Sequence, residues 1–205
     1  MTALTFTLKS DLAFKLDCSR LTPNGLAGLS LTQINNLSLT NSKNSLKVAD
    51  YFDVSGNHSD NIIFKNPSKQ LDFIGQQMSH GSIICQGNVG DRVGDKMRRG
   101  LILIDGDAGD YCGSRMVAGT FGVYGNVGEY TGFGMKRGTI LLNNKTNLHA
   151  TMQDCGTHNL PFLALLFQSF DAFPSKFSTL KIQRVQRFAG DLAVNGNGEI
   201  LIVSA

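Results

Sequence analysis

The sequence predicts an all-β fold: a right-handed parallel β-helix with 19-residue glycine-rich coils, closed at its ends by a short helix and irregular segments. Three observations predict it. Glycines recur with a fixed period of nineteen, apolar columns stand two positions apart within that frame, and the flanks lose the pattern altogether.

Written in rows of nineteen from Gly81, the chain aligns Gly81, Gly100, Gly119 and Gly138. Gly87, Gly106 and Gly125 form a second column, Gly90, Gly109 and Gly128 a third, and Gly94, Gly113 and Gly132 a fourth. Met97, Met116 and Met135 fall in a fifth. The unit is G-x-x-G-x-x-x-G-x-x-M-x-x-G. One row earlier Gly75 and Met78 keep the frame, while Ser68 and Leu71 stand where two glycines would be. A fixed period near twenty residues marks a solenoid. Helical repeats are excluded, because each interior glycine costs about 0.5–1 kcal/mol relative to alanine. The L-x-x-L-x-L frame of leucine-rich repeats is absent, and nineteen is not a multiple of six, as a left-handed hexapeptide helix requires. A three-sided β-helix remains, with glycines at corners that need a positive φ.

The columns separate inside from outside. Ile83, Ile102, Phe121 and Ile140 share one column, and Cys85, Ile104, Val123 and Leu142 share another two residues on. That is the spacing of one strand face, so both point inward. The methionine column and Val89, Ala108 and Val127 are read as inward too, and Arg92, Tyr111 and Tyr130 as outward. Alternation forces Ile84, Leu103 and Leu141 outward as well, with Gly122 between them. An outward apolar strip must be covered. It is therefore the candidate partner interface, rimmed by Arg92, Tyr111 and Tyr130, and the chain's own flank is the competing cover.

The whole chain, 1–205, reads as one domain: an N-terminal cap with entry strands over 1–60, coils over 61–145, and a C-terminal cap over 146–205. Solenoid ends expose unpaired strand edges that need covering. Within the C-terminal cap, the segment Leu160 to Phe170 predicts a short apolar helix with Pro161 in its first turn. Leu192 to Val194 and Glu199 to Ile202, joined through Asn195-Gly196-Asn197-Gly198, predict a terminal hairpin.

Composition narrows the function classes. A net charge of +3, with Lys96, Arg98 and Arg99 flanked by Asp91 and Asp95, argues against a nucleic-acid binder. No apolar run is long enough for a signal peptide core or a membrane span. Cys18, Cys85, Cys112 and Cys155 show no C-x-x-C spacing, which fits reduced thiols in the cytoplasm. The abundance of Asn and Gln, with three Asn-Gly pairs, is mesophilic in character. No G-K-[ST] follows the glycine loops, so they are not phosphate cradles. Asp72, Asp91, Asp110 and Glu129 form an acidic column, beside Asn88, Asp107 and Asn126. These read as solvated turn ladders, which Lys96 and Arg115 are placed to neutralise. His149, Cys155 and His158 match no familiar zinc spacing and read as loop residues, and no cysteine or serine has a base in a recognisable motif.

The thrice-repeated Gly87-x-x-Gly90-x-x-x-Gly94-x-x-Met97-x-x-Gly100 unit resembles the family of formylmethanofuran dehydrogenase C subunits. Val48-Ala49-Asp50-Tyr51-Phe52-Asp53-Val54-Ser55-Gly56 resembles that family's lead-in to the first coil. A related glycine pattern occurs in the C-terminal β-helix of the glutamate synthase large subunit. The resemblance covers roughly residues 45–145. It implies a non-catalytic scaffold subunit of a formyltransferase/hydrolase complex of methylotrophic bacteria. That complex moves a formyl group from tetrahydromethanopterin to a methanofuran analogue and releases formate. Its chemistry would sit on a formyltransferase subunit, a metal-bearing amidohydrolase-like subunit and a molybdopterin-enzyme-like subunit. This chain would bind no cofactor and no metal, and no catalytic residue carries over. An archaeal formylmethanofuran dehydrogenase and a glutamate synthase-type amidotransferase are the alternatives.

Overall fold

A computed structural model describes residues 2–39, 46–180 and 184–203. In chain order the strands are β1 (Ala3–Leu8), β2 (Leu16–Asp17), β3 (Phe52–Ser55), β4 (His58–Lys65), β5 (Leu71–Asp72), β6 (Ser82–Gln86), β7 (Leu101–Ile104), β8 (Thr120–Val123), β9 (Thr139–Leu142), β10 (Gln153–His158), β11 (Val185–Gly190) and β12 (Gly198–Val203). Three short helices, α1 (Pro23–Leu26), α2 (Leu31–Asn35) and α3 (Val48–Tyr51), lie between β2 and β3, and α4 (Phe162–Phe170) lies between β10 and β11. The protein is mostly β, and ten of its strands form one mixed sheet in the order β10-β11-β12-β9-β8-β7-β6-β4-β1-β3.

The interior of that sheet is parallel and keeps the sequence period. Ile83 lies opposite Ile102, Ile102 opposite Phe121, and Phe121 opposite Ile140, each nineteen residues on. Between β4 and β6 the offset is 21, with Ile62 opposite Ile83, whereas Asp72 and Asp91 are again 19 apart. The two extra residues therefore fall between β4 and β5, where Asn66 adopts φ +50° and Pro67 closes over Gly87. Away from the sheet the coils are also joined one to the next, by N–H donors such as Arg92 to Asp110 O and Lys96 to Ser114 O, both 2.8 Å.

The inward columns are buried. Ile83, Ile102, Phe121 and Ile140 are fully enclosed, as are Met97, Met116 and Met135. Both ends extend these columns with distant chain. β12 adds Ile200 opposite Ile140 and Ile202 opposite Leu142. At the other end, Leu4 and Phe6 of β1 stand opposite Ile62 and Phe64, and the Phe6 and Phe64 rings stack at 5.3 Å. Antiparallel strands β3 and β11–β10 then cover the two ends of the parallel run.

The glycine columns divide into two physical kinds. Gly94, Gly113 and Gly132 have φ between +63° and +73°, and Gly81, Gly100, Gly119 and Gly138 have φ between +77° and +107°, as the corner argument requires. Gly90, Gly109, Gly128, Gly106 and Gly125 are not in that region. They are glycines because a Cβ would collide with the coil below: at Gly109 it would lie 2.0 Å from Asp91 Oδ1, and at Gly125 2.6 Å from Asp107 Oδ1. Conversely, Phe73, Arg92, Tyr111 and Tyr130 (φ +57° to +60°) and Gln77, Lys96 and Arg115 (φ +53° to +56°) hold left-handed backbone without being glycine. Each costs about 1–2 kcal/mol, which inter-coil hydrogen bonding and stacking of the projecting side chains offset.

Two expectations about the flanks need correction. Leu192–Val194 is a 3-10 turn and not a strand. The terminal hairpin is instead β11 with β12, pairing Val185 with Val203 through Gly190 with Gly198. The apolar helix forms as α4, with Pro161 at its N-cap, but it covers a side of the sheet and not an end.

Candidate functional site

The apolar strip is covered by the chain itself. Ile84, Leu103 and Leu141 are 0–1% exposed and cluster with Leu163, Phe167 and Phe170 of α4, with Phe177, and with Val185 and Leu201. Gly122, the gap in the strip, is a slot: a Cβ there would stand 2.9 Å from Phe177 Cζ and 3.0 Å from Leu103 Cδ2. The strap carrying Phe177 is pinned by Asp105, which accepts from Ser175 Oγ at 2.5 Å and from the Lys176 N–H at 2.9 Å. Gln86 Nε2 donates to Pro174 O at 3.0 Å. The expectation that Ile84, Leu103 and Leu141 form a partner surface is therefore corrected, since residues 160–180 and Val185 satisfy their demand for burial first.

Arg92, Tyr111 and Tyr130 do face outward, but they do not rim that strip. Their contacts are with one another: the tyrosine rings stack at 4.9 Å, and the Arg92 guanidinium lies 4.8 Å from the Tyr111 centroid. Phe133 meets both tyrosine rings edge-on, and Tyr130 is 44% exposed. The stack follows from the coil pitch of about 4.8 Å, which is also the spacing of stacked aromatic rings.

The acidic columns are structural staples. Asp72 Oδ1 accepts from the Asp91 N–H at 2.8 Å, Asp91 Oδ1 from Asp110 at 3.0 Å, and Asp110 Oδ1 from Glu129 at 2.8 Å. Asn88 and Asp107 repeat the pattern toward Asp107 and Asn126. That bond from the Asn126 N–H is the main reason the Asp107 carboxyl is held below its usual range. The counterions differ from those expected. Lys15 bridges Asp72 and Asp91 at 2.9 and 3.2 Å, and Lys69 reaches Asp107 at 3.5 Å. Burial pulls the Lys15 ammonium down, yet its bonds to both aspartates hold it above its ordinary value. Arg115 serves the fully buried Asp95, with Nε and Nη2 at 3.0 and 2.9 Å.

Asp95 stood in the sequence only as an acid beside the basic run, and its burial was not legible there. Its position in adjacent rows holds Gln76 and Ser114, and both donate to it, at 3.2 and 2.7 Å. That short polar column was the available signal. Asp191, also fully buried, accepts from the Gly134 and Ala193 N–H groups at 2.8 and 2.9 Å. Burial pushes its carboxyl up, but hydrogen bonds from Thr151, Gly134 and Ala193, and the nearby His149, outweigh that and hold it low. Asp95 thus ties coil to coil, and Asp191 ties the last coil to the C-terminal flank.

Cys18, Cys85 and Cys112 are fully buried, and burial pushes their thiols well up, away from thiolate chemistry. His149 bonds Thr151 Oγ1 at 2.6 Å, and His158 bonds Cys155 O at 2.8 Å. No group of three or more His, Cys, Asp or Glu could hold a metal ion, and no helix is long and apolar enough to cross a membrane, among the described residues.

The comparisons with known proteins point one way. The C subunit of the formyltransferase/hydrolase complex Fhc of Methylorubrum extorquens is 35% identical over 88 residues, which is 43% of this chain and 33% of that protein. The C subunit of the tungsten-containing formylmethanofuran dehydrogenase 2 is 29% identical over 92 residues in Methanococcus maripaludis, covering 44% of this chain and 34% of the relative. In Methanothermobacter wolfeii it is 31% identical over 94 residues, covering 43% and 35%. A chain in the crystal structure of the formyltransferase/hydrolase complex (FhcABCD) from Methylorubrum extorquens, solved with methylofuran, superposes with a TM-score of 0.56 at 26% identity, covering 98% of this chain and 100% of that one. The chain is a homologue of these C subunits. No family model matches it. The matched part of this C-subunit homologue spans about a third of the length of the curated relatives. These likenesses favour the formyl-linked complexes over the glutamate synthase-type alternative.

Proposed function

We propose that this chain is the C subunit of a cytoplasmic formyltransferase/hydrolase complex, a scaffold with no catalytic residue of its own. In this reading 1–205 is one right-handed parallel β-helix. Residues 1–60 and 146–205 close it, and 61–145 form its coils. The single observation that carries the proposal is the full-length superposition on a chain of the FhcABCD structure. The higher identity to the bacterial C subunit than to the archaeal ones favours the formyltransferase/hydrolase complex over the dehydrogenase.

The chemistry of the chain agrees with a scaffold. Its buried carboxylates are committed to backbone and side-chain donors, and its buried thiols are raised in pKa. Partners would be a formyltransferase subunit, an amidohydrolase-like subunit and a molybdopterin-enzyme-like subunit. Tetrahydromethanopterin, a methanofuran analogue and any metal would be held by those partners. The test is an assay of the purified chain alone. It is expected to show no formyl transfer, no formyl hydrolysis and no stoichiometric zinc, molybdenum or tungsten by elemental analysis. Turnover by the chain alone, or a bound metal at one equivalent, would contradict a scaffold.

A further inference from the structure

An open groove of about 570 Å³ runs across successive coils. Lys96 and Arg98 come from one coil, Val117 from the next, Phe133 and Lys136 from the next, and Val194 from the turn before β12. At about 4.8 Å per coil, Lys136 lies roughly 10 Å along the stack from Lys96 and Arg98. All three cations are exposed. Among the described residues none of them has a carboxylate within ion-pair distance, whereas Arg115, which also borders the groove, is consumed by Asp95. The groove wall is apolar and open to solvent: Val117 is 42%, Phe133 45% and Val194 43% exposed. Phe133 also connects it to the outward tyrosine stack.

A lone cationic face would suit any anion. Three unpaired cations around exposed valine and aromatic side chains suit a ligand that is acidic and apolar together. Solvent-exposed apolar surface of this kind favours coverage, and Arg with aromatic residues is the composition of protein interfaces. Unpaired charges of one sign steer and register an opposite partner more than they add raw affinity. We infer that the groove lined by Lys96, Arg98, Val117, Phe133, Lys136 and Val194 docks an extended segment of another subunit in which Asp or Glu alternates with apolar residues. This rests on the reading of the chain as a complex subunit.

The experiment uses the complex assembled on the full-length chain. Carbodiimide, a zero-length coupling reagent, joins a lysine amine to a carboxylate only when the two are in contact. Mass spectrometry is expected to find Lys96 or Lys136 joined to an Asp or Glu of a co-assembled subunit. In parallel, the variant Lys96→Glu/Arg98→Glu/Lys136→Glu is expected to raise the dissociation constant for that subunit by about tenfold or more, with the gap narrowing as salt rises. All three side chains lie outside the core, so its melting temperature should match the wild type. If it does not, Arg98→Glu alone, away from left-handed backbone, gives the same reading. Lys65→Glu, on the sheet, carries the same change in net charge as Arg98→Glu and is its control. An intact complex with no cross-link at Lys96 or Lys136 and unaltered affinity of the variant would overturn the groove while leaving the subunit reading in place. So would competition for the groove by inorganic phosphate or an oligonucleotide without any cross-link to protein. A wild-type chain that assembles with no other subunit would overturn both.

Discussion

Leu103→Asp is expected to destabilise the isolated chain by about 4 kcal/mol or more, the cost of leaving an unpaired charge in a closed apolar cluster. Leu103 has no exposure, and it sits between the strand neighbours Ile84 and Gly122 under Phe177. A carboxylate there would face only the side chains of Leu163, Phe167, Phe170 and their neighbours. At roughly 2–4 °C per kcal/mol for a chain of this size, the melting temperature should fall by about 10 °C. Leu103→Met, which keeps the volume, should cost less than about 1.5 kcal/mol. A melting temperature unchanged by Leu103→Asp, together with weakened assembly, would mean that α4 and its strap are not the cover of this strip in solution. Thermal unfolding followed by circular dichroism on both variants decides it.

Gly109→Ala is expected to cost about 3 kcal/mol, at the upper end of ordinary overpacking, although its φ lies outside the left-handed region. The added methyl carbon would stand 2.0 Å from Asp91 Oδ1 and 2.9 Å from the Gly90 carbonyl. The acceptor that fixes Asp110 would be forced aside. The measurement that isolates this contact is a double-mutant cycle with Asp91→Ala. Removing the carboxylate first should make Gly109→Ala milder, giving a coupling energy of about 1 kcal/mol or more, as for residues in direct contact. Additive effects would show that the glycine is needed for another reason.

These two positions also mark where the sequence was legible. The period, the inward columns and the parallel register of nineteen could be read from it because each residue type repeats its environment in every coil. Ile83, Ile102, Phe121 and Ile140 meet the same neighbours one rung apart. The outward placement of Ile84, Leu103 and Leu141 was legible for the same reason. Their cover was not, because Phe177 lies far along the chain from Leu103 and no local rule joins them. Gly122 was the hint: an apolar column interrupted by a missing side chain is room for a side chain from elsewhere. Left-handed backbone at Arg92, Tyr111 and Lys96 was hidden because nothing in these residue types advertises a positive φ. The cationic groove was visible only as a short basic run beside two aspartates. Burial of Asp95 under Arg115 removes one of those acids from the surface, and the coil pitch brings Lys136 to the same face. The two-residue insertion between β4 and β5 was missed because Gly75 and Met78, beyond it, return to frame.

The most direct test of the central claim is to isolate the full-length chain from its source under native conditions and identify, by mass and stoichiometry, what is bound to it. The scaffold reading predicts a stable hetero-oligomer containing a formyltransferase and an amidohydrolase-like subunit in fixed ratio, active in formyl transfer and formate release as a whole. A chain recovered as a monomer, or in a stoichiometric complex with a glutaminase instead, would contradict it.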